Sequence, residues 1–126
     1  MSELGIEINQ LPPASYSLNS RVHWSTRWKD GVIYQNAVYY EAVNARNKVN
    51  WQALEYALME LEFVFAVERI RDEDNHRARM KPGVDALVKA GIILYDDLKH
   101  LTCSKMTFTV SKERAPMTII KIKAGG

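Results

Sequence analysis

The sequence holds a single cysteine, Cys103, so no disulfide can form within the chain and no cysteine-based zinc site can be assembled. This usage fits a reducing cytosol. No apolar run approaches the length of a membrane-crossing helix. Met1 is followed by polar and acidic residues rather than an apolar stretch, so the sequence predicts no secretory signal, no membrane association and a cytoplasmic location. Internal repeats and low-complexity segments are also missing. Several catalytic signatures are lacking too: no glycine loop of the phosphate-cradling kind, no GxSxG, and no HExxH or HxxxH spacing among His23, His76 and His100. Each histidine reads as a surface or hydrogen-bonded residue. Cys103 has no nearby base and reads as a small structural residue.

What is present fits one domain. The chain has 126 residues, of which 47% are hydrophobic, enough for a core, and 25% are charged. The net charge of +2 does not by itself mark a nucleic-acid binder, but its distribution is uneven. Between Glu68 and Lys81, the cations Arg69, Arg71, Arg77, Arg79 and Lys81 flank the acids Glu68, Asp72, Glu73 and Asp74. Cations around an acidic cluster suit a site that handles a metal ion and a polyanion together.

Hydrophobic periodicity outlines an α/β (α+β) fold: about four strands in a small mixed sheet, with two main helices packed mostly on one face. Ile6 and Ile8 alternate with polar residues in a first strand that Pro12-Pro13 ends. Ala14 to Gly31 reads as a loop. It carries Arg21, His23, Trp24, Arg27, Trp28 and Lys29, either as a basic-aromatic surface for a phosphate backbone and its bases or as core tryptophans among solvated cations. Val32 to about Asn47 reads as a helix with Ile33, Ala37 and Tyr40 at helical spacing, while Val49 to Tyr56 stays open between a short helix and a connection. Leu58 to Val67 alternates as a strand that leads into the acidic cluster. Asp74 or Asn75 is expected to cap a helical turn, Pro82 to kink the chain, and a helix to run on to Ala90 and stop at Gly91. Lys81, Asp85 and Lys89 then share one helix face, which reads equally well as a salt-bridged solvent face. Met106 to Val110 and Met117 to Lys123 are expected to close the chain as a hairpin.

The candidate chemistry lies between Arg71 and Asp97. Two carboxylates at i and i+2, Asp72 and Asp74, project from one side of an extended chain. Carboxylates held close together repel, and a hard divalent cation between them relieves that repulsion. A calcium EF-hand loop starting at Asp72 is excluded: it needs glycine at position six and glutamate at position twelve, where this chain has Arg77 and Gly83. Asp-x-Asp with a later aspartate and a lysine is a plausible arrangement for metal-assisted phosphodiester hydrolysis; a solvated acidic loop is the plainer reading.

The same stretch resembles the RusA family of Holliday junction resolvases, common in phages and prophages. The likeness lies in Arg71-Asp72-x-Asp74-Asn75, Lys81-Pro82, Asp85-Ala86-Leu87-Val88-Lys89-Ala90-Gly91 and Asp96-Asp97, with Pro12-Pro13 and Ser17-Leu18-Asn19 upstream. The resemblance covers most of the chain and is weakest around 47–56. It implies a homodimeric endodeoxyribonuclease, dependent on Mg²⁺ or Mn²⁺, that nicks four-way DNA junctions symmetrically in recombination and repair, in a bacterial or phage-infected cell. By position it assigns Asp72, Asp74 and Asp97 as metal-binding and catalytic acids, with Asp96 the alternative to Asp97. Lys81 matches the catalytic lysine, and Arg71 and Asn75 match supporting residues. Arg77, Arg79, Arg21, Arg27 and Lys29 would track neighbouring phosphates. Three features depart from the family pattern: His76 stands where leucine commonly follows Asp-Asn, the gap from Asn75 to Lys81 is longer, and Tyr95 reads as an extra residue. A non-catalytic DNA-binding module of the same fold and a nuclease for other branched or flapped DNA are the alternatives.

Overall fold

A computed structural model describes residues 3–125. The elements follow in the order β1 (Glu3–Ile8), a 3-10 turn (Ala14–Tyr16), α1 (Trp24–Val49), β2 (Ala57–Phe65), α2 (Glu73–Arg79), α3 (Lys81–Lys89), β3 (Leu101–Val110) and β4 (Met117–Ala124). The strands form one mixed sheet of order β1-β4-β2-β3, with β2 and β3 parallel and the other pairs antiparallel. The expected class, a small four-stranded mixed sheet with helices on one face, is the one observed.

Period-two alternation explains why the sheet is dry on one side. Leu4, Ile6 and Ile8 of β1, Met59, Leu61 and Phe63 of β2, and Ile120 and Ile122 of β4 all face a common core. Tyr34, Val38 and Ala42 of α1 and Ala86 and Leu87 of α3 close it from the helical side. The opposite face is polar, with Lys123 Nζ 3.5 Å from Glu60 and Thr109 Oγ1 donating to Glu62 at 2.6 Å.

The expected hairpin between the last two strands does not form. β4 lies between β1 and β2, and β3 pairs only with β2. The 111–116 connection steps past the C-terminal end of β2: Ser111 N–H donates to Phe65 O at 2.9 Å, and Met117 stands opposite Val64. Burial explains the order. Ile120 and Ile122 are fully buried, as a central strand demands, whereas Met106 and Phe108 of β3 are only half covered, as at an edge.

Two further expectations about α1 are corrected. The helix begins at Trp24, inside the segment read as a loop, and has 26 residues, about 39 Å in length. His23 starts it by accepting the Ser25 N–H on its ring Nδ1 at 3.2 Å. The first turns show no apolar period because nothing covers them; Trp24 is 72% and Trp28 64% exposed. Gly31 is therefore inside the helix, where a β-carbon would collide with the Tyr16 ring, and not ahead of it. The buried stripe is also displaced by one position. It runs Gly31, Tyr34, Val38, Ala42, while Ile33 and Tyr40 are exposed. Asn50, at φ 54°, ends α1 in the left-handed conformation, and Arg46 and Lys48 sit in the last turn, where the helix dipole favours cations. The 51–56 stretch is a connection: Trp51 Nε1–H donates to Ile92 O at 3.0 Å and Leu54 bridges Ile93.

Pro82 in the first turn of α3 and Gly91 at φ 73° just past its end match the expected start and stop. Lys81 and Asp85 pair at 3.6 Å along the exposed side, in keeping with the solvent-face reading.

Tyr34 carries a polar tie through this core. Its hydroxyl donates to Thr118 Oγ1 at 3.0 Å, and Thr118 Oγ1–H donates to the Gln10 carbonyl at 2.8 Å. Burial pushes the Tyr34 hydroxyl far above its usual pKa, partly offset by the Thr118 bond. Tyr34→Phe is expected to cost about 1 kcal/mol, and Thr118→Val about 2 kcal/mol because it leaves the buried Tyr34 hydroxyl to the weak Met80 Sδ acceptor at 3.5 Å. Urea unfolding of the two variants measures this; a Thr118→Val protein as stable as the parent would show that the tie is not stabilising.

Candidate functional site

β2 ends at Phe65, and the chain turns through the exposed residues 66–70 before α2. Arg71 folds back over this turn. Its Nη2 donates to Val67 O at 2.8 Å, its Nη1 to Arg69 O at 3.2 Å, and its guanidinium lies 3.5 Å from the centre of the Phe65 ring.

Asp72 is therefore not at a strand end. It is the N-cap of α2: its Oδ1 accepts the Asp74 N–H at 2.8 Å, and its Oδ2 accepts from Asn75 Nδ2 at 3.2 Å. Asp72 takes the capping role expected of Asp74 or Asn75. Because Asp74 is already helical, the two carboxylates do not alternate as on a strand. Asp74 Oδ1 instead pairs with Arg77 at 3.0 Å, and Glu73 lies 3.9 Å from the same arginine. Asn75 Oδ1 accepts the Leu18 N–H at 3.0 Å, and Arg79 Nε–H donates to Ser17 Oγ at 2.7 Å. The segment Ser17-Leu18 is thus fastened to α2 at two points, which accounts for a polar pattern at both places.

His76 is 4% exposed, between Phe63, Phe65 and Phe108. The Asp72 carbonyl can only accept, so His76 Nδ1 carries the proton and donates to it at 2.9 Å. Nε2 is left buried and, among the described residues, has no partner. Burial holds the ring's pKa below its ordinary value. The Asp72 carbonyl bond works against that shift, and the charges of Arg79 and Arg71 add to it.

Asp97 lies in a separate neighbourhood. Ile92 and Ile93 bury themselves beneath α3, and the chain emerges at Leu94. Asp97 Oδ1 accepts the backbone N–H groups of Lys99 and His100 at 3.0 and 3.2 Å and the His100 Nδ1 proton at 2.7 Å. The His100 bond is the main cause of a carboxyl held below its usual pKa. His100 is in turn packed between Tyr56 and Tyr95. Asp96 and Asp97 border an open cleft of about 400 Å³ with Asp85, Lys89 and Gln35. Lys89 Nζ donates to Gln35 Oε1 at 3.4 Å, and Lys81 turns to Asp85.

The acids thus fall into two groups: Asp72 and Asp74 at the start of α2, and Asp96 and Asp97 with Asp85 at the cleft. Among the described residues no three His, Cys, Asp or Glu side chains are gathered to hold one metal ion. Asp72 and Asp74 bond within α2, and Asp97 bonds within the 97–100 turn. Arg27 stacks 4.7 Å from the centre of the Tyr16 ring, and Arg21 and Lys29 are exposed beside Trp24 and Trp28 on the opening of α1. Sequence reasoning missed Asp85 and Gln35 as neighbours of Asp97. No linear signal marks them, since they meet only through the packing of α1 and α3. No protein-family model matches the chain, and no curated protein matches it.

His76→Leu removes the orphaned ring nitrogen from an aromatic pocket and leaves the Asp72 carbonyl bonded to the backbone N–H of residue 76. It is expected to stabilise the protein by about 1 kcal/mol, read by denaturant unfolding. A loss of stability would show that the Nδ1 bond outweighs the unpaired Nε2.

Proposed function

We propose that the protein is an endonuclease for branched DNA, similar to the RusA-type resolvases. The observation that supports this best is the exposure of the ordered Arg71–Asp97 signature. Asp72, Asp74, Lys81, Asp96 and Asp97 are all solvent-exposed. Arg71, Arg77 and Arg79 surround the first acids, and Arg21, Arg27 and Lys29 accompany two exposed tryptophans on α1. Such cations would neutralise successive phosphates, and exposed indoles would stack on unpaired bases near a branch point. Lys81 would serve as a point charge beside the scissile phosphate. A two-fold homodimer would present two such surfaces to two symmetric strands of a four-way junction.

The arrangement of the acids favours one competing reading. Asp72, Asp74 and Asp97 are each satisfied within the protein and lie in two groups. This supports a DNA-binding module of the same fold with no catalysis. The Mg²⁺ or Mn²⁺ dependence implied by the resemblance therefore separates the readings.

The test is cleavage of a synthetic four-way junction in Mg²⁺, in Mn²⁺ and in EDTA, comparing the parent with Asp72→Asn. Asparagine caps a helix about as well as aspartate, so α2 should keep its N-cap and lose only the exposed bond from Asn75 Nδ2. The parent is expected to give paired nicks only with a divalent cation; the variant should bind the junction and leave it uncut. Equal cutting by both proteins would remove Asp72 from the chemistry. Junction binding with no product under any condition would move the conclusion to the non-catalytic module. Preferential cutting of forks or flaps in competition would assign a nuclease for other branched DNA.

A further inference from the structure

We propose that the cavity between the 66–72 turn and α2 is a phosphate-binding site, in which Arg69, Arg71 and Arg79 grip one phosphate group. The cavity measures about 350 Å³, and these three arginines line it together with Asp72, Asn75 and Phe65.

Charge balance carries the argument. Arg77, one turn along α2, is neutralised by Asp74 and Glu73. Among the described residues, no carboxylate lies within salt-bridge distance of Arg69, Arg71 or Arg79. Asp72 is the acid on the cavity wall, and its two oxygens are occupied by the Asp74 N–H and the Asn75 side chain. Three arginines thus line one space with a single carboxylate, Asp72, and the cavity keeps a net positive charge. Burial lowers the pKa of Arg71 and the charge of Arg69 lowers it further; Arg79 is likewise lowered by burial and by Arg71. An anion in the cavity would relieve that repulsion.

Two of the three groups are already held in place. Arg71 is fixed by two backbone carbonyls and the Phe65 ring, and Arg79 by the Ser17 hydroxyl. A guanidinium has five N–H donors; Arg71 spends two of them and Arg79 one, so most of both forks remain available. Side chains ordered before binding lose little entropy on binding, and planar forks match the edges of a tetrahedral oxyanion. The phosphate can come from a nucleic-acid backbone, which rests on the reading under Proposed function, or from free phosphate, which does not.

Two measurements on the full chain separate these sources, using the parent, Arg69→Gln, Arg79→Gln and, as a control on the opposite sheet face, Lys121→Gln. The first is fluorescence anisotropy of a labelled four-way junction across a NaCl series in EDTA. A backbone phosphate in the cavity predicts that Arg69→Gln and Arg79→Gln each weaken binding several-fold and reduce the slope of log affinity against log salt by about one, with Lys121→Gln unchanged. The second is thermal unfolding in inorganic phosphate against NaCl of equal ionic strength. A free phosphate in the cavity predicts a phosphate-specific rise in Tm that both arginine variants lose. Either signature supports the site, and the second does so even if the parent binds no junction and the nuclease reading fails. An unchanged salt slope, or no junction binding, together with no phosphate-specific rise in Tm overturns it. Arg69 is exposed and, among the described residues, has no side-chain hydrogen bond or salt bridge, so its substitution tests the site without threatening the fold.

Discussion

The hydroxyl of Tyr34 reaches Thr118 from inside the helical layer, and Thr118 passes the bond to the carbonyl of Gln10. This chain crosses from α1 to β4 and on to the end of β1 through a space otherwise filled with hydrocarbon. An apolar core fixes how much surface is buried but only weakly fixes which helix face is inside. A buried phenol helps to fix it, since a rotation of α1 that carried its hydroxyl away from Thr118 Oγ1 and Met80 Sδ would leave it unpaired at a cost of about 1–3 kcal/mol. With α1 set on Tyr34, Val38 and Ala42, Gly83 of α3 can approach the Tyr34 ring. That seating packs α1 against α3, a helix that lies within the Arg71–Asp97 stretch.

How far the sequence discloses this differs from element to element. β2 is legible because Met59, Leu61, Phe63 and Phe65 alternate strictly, and α3 because proline and glycine bracket it. The phase of α1 is hidden because Ile33, Tyr34, Ala37, Val38, Tyr39 and Tyr40 put apolar atoms on nearly every side, so the hydroxyl partner decides the phase. Its first turns are hidden for the opposite reason. They pack on little, and periodicity reports packing more than helix formation. The strand order is hidden because alternation in β3 and β4 describes each strand alone. Which one becomes central depends on burial shared with β1, a partner at the far end of the chain.

The candidate site follows the same division. Its residue types were legible, since Asp72, Asp74, Lys81 and Asp97 are conspicuous in any linear reading. Their spatial relation was not. The rule that carboxylates at i and i+2 share a side holds for an extended chain, and here the chain enters a helix between them. The signal that distinguishes the two cases is local: an aspartate followed by acids in the next two positions is itself a strong helix start, because acids in a first turn oppose the positive end of the helix dipole. The same three residues therefore support a capping reading as well as a ligand reading, and in the structure Asp72 caps α2.

That double aptitude limits what the acids can do. The Asp72 carboxylate holds the start of α2 through Oδ1 and the Asn75 side chain through Oδ2, while its carbonyl holds His76. Drawing Asp72 toward Asp97 would break the cap, at about 1 kcal/mol, and Asp97 would have to leave His100 and the backbone N–H groups that hold it. Asp74 would also have to part from Arg77, a surface pair of small worth. The asymmetry is in the cations. Arg71 and Arg79 need no rearrangement, because their positions are set by carbonyls, a hydroxyl and an aromatic ring, with no carboxylate to be displaced. An approaching polyanion would therefore meet two of the cavity's three arginines already in place, whereas the acids can regroup only by giving up bonds that fold α2 and the 97–100 turn. Under the nuclease reading, anion binding and chemistry are then separable steps, with the ordering cost placed on the second.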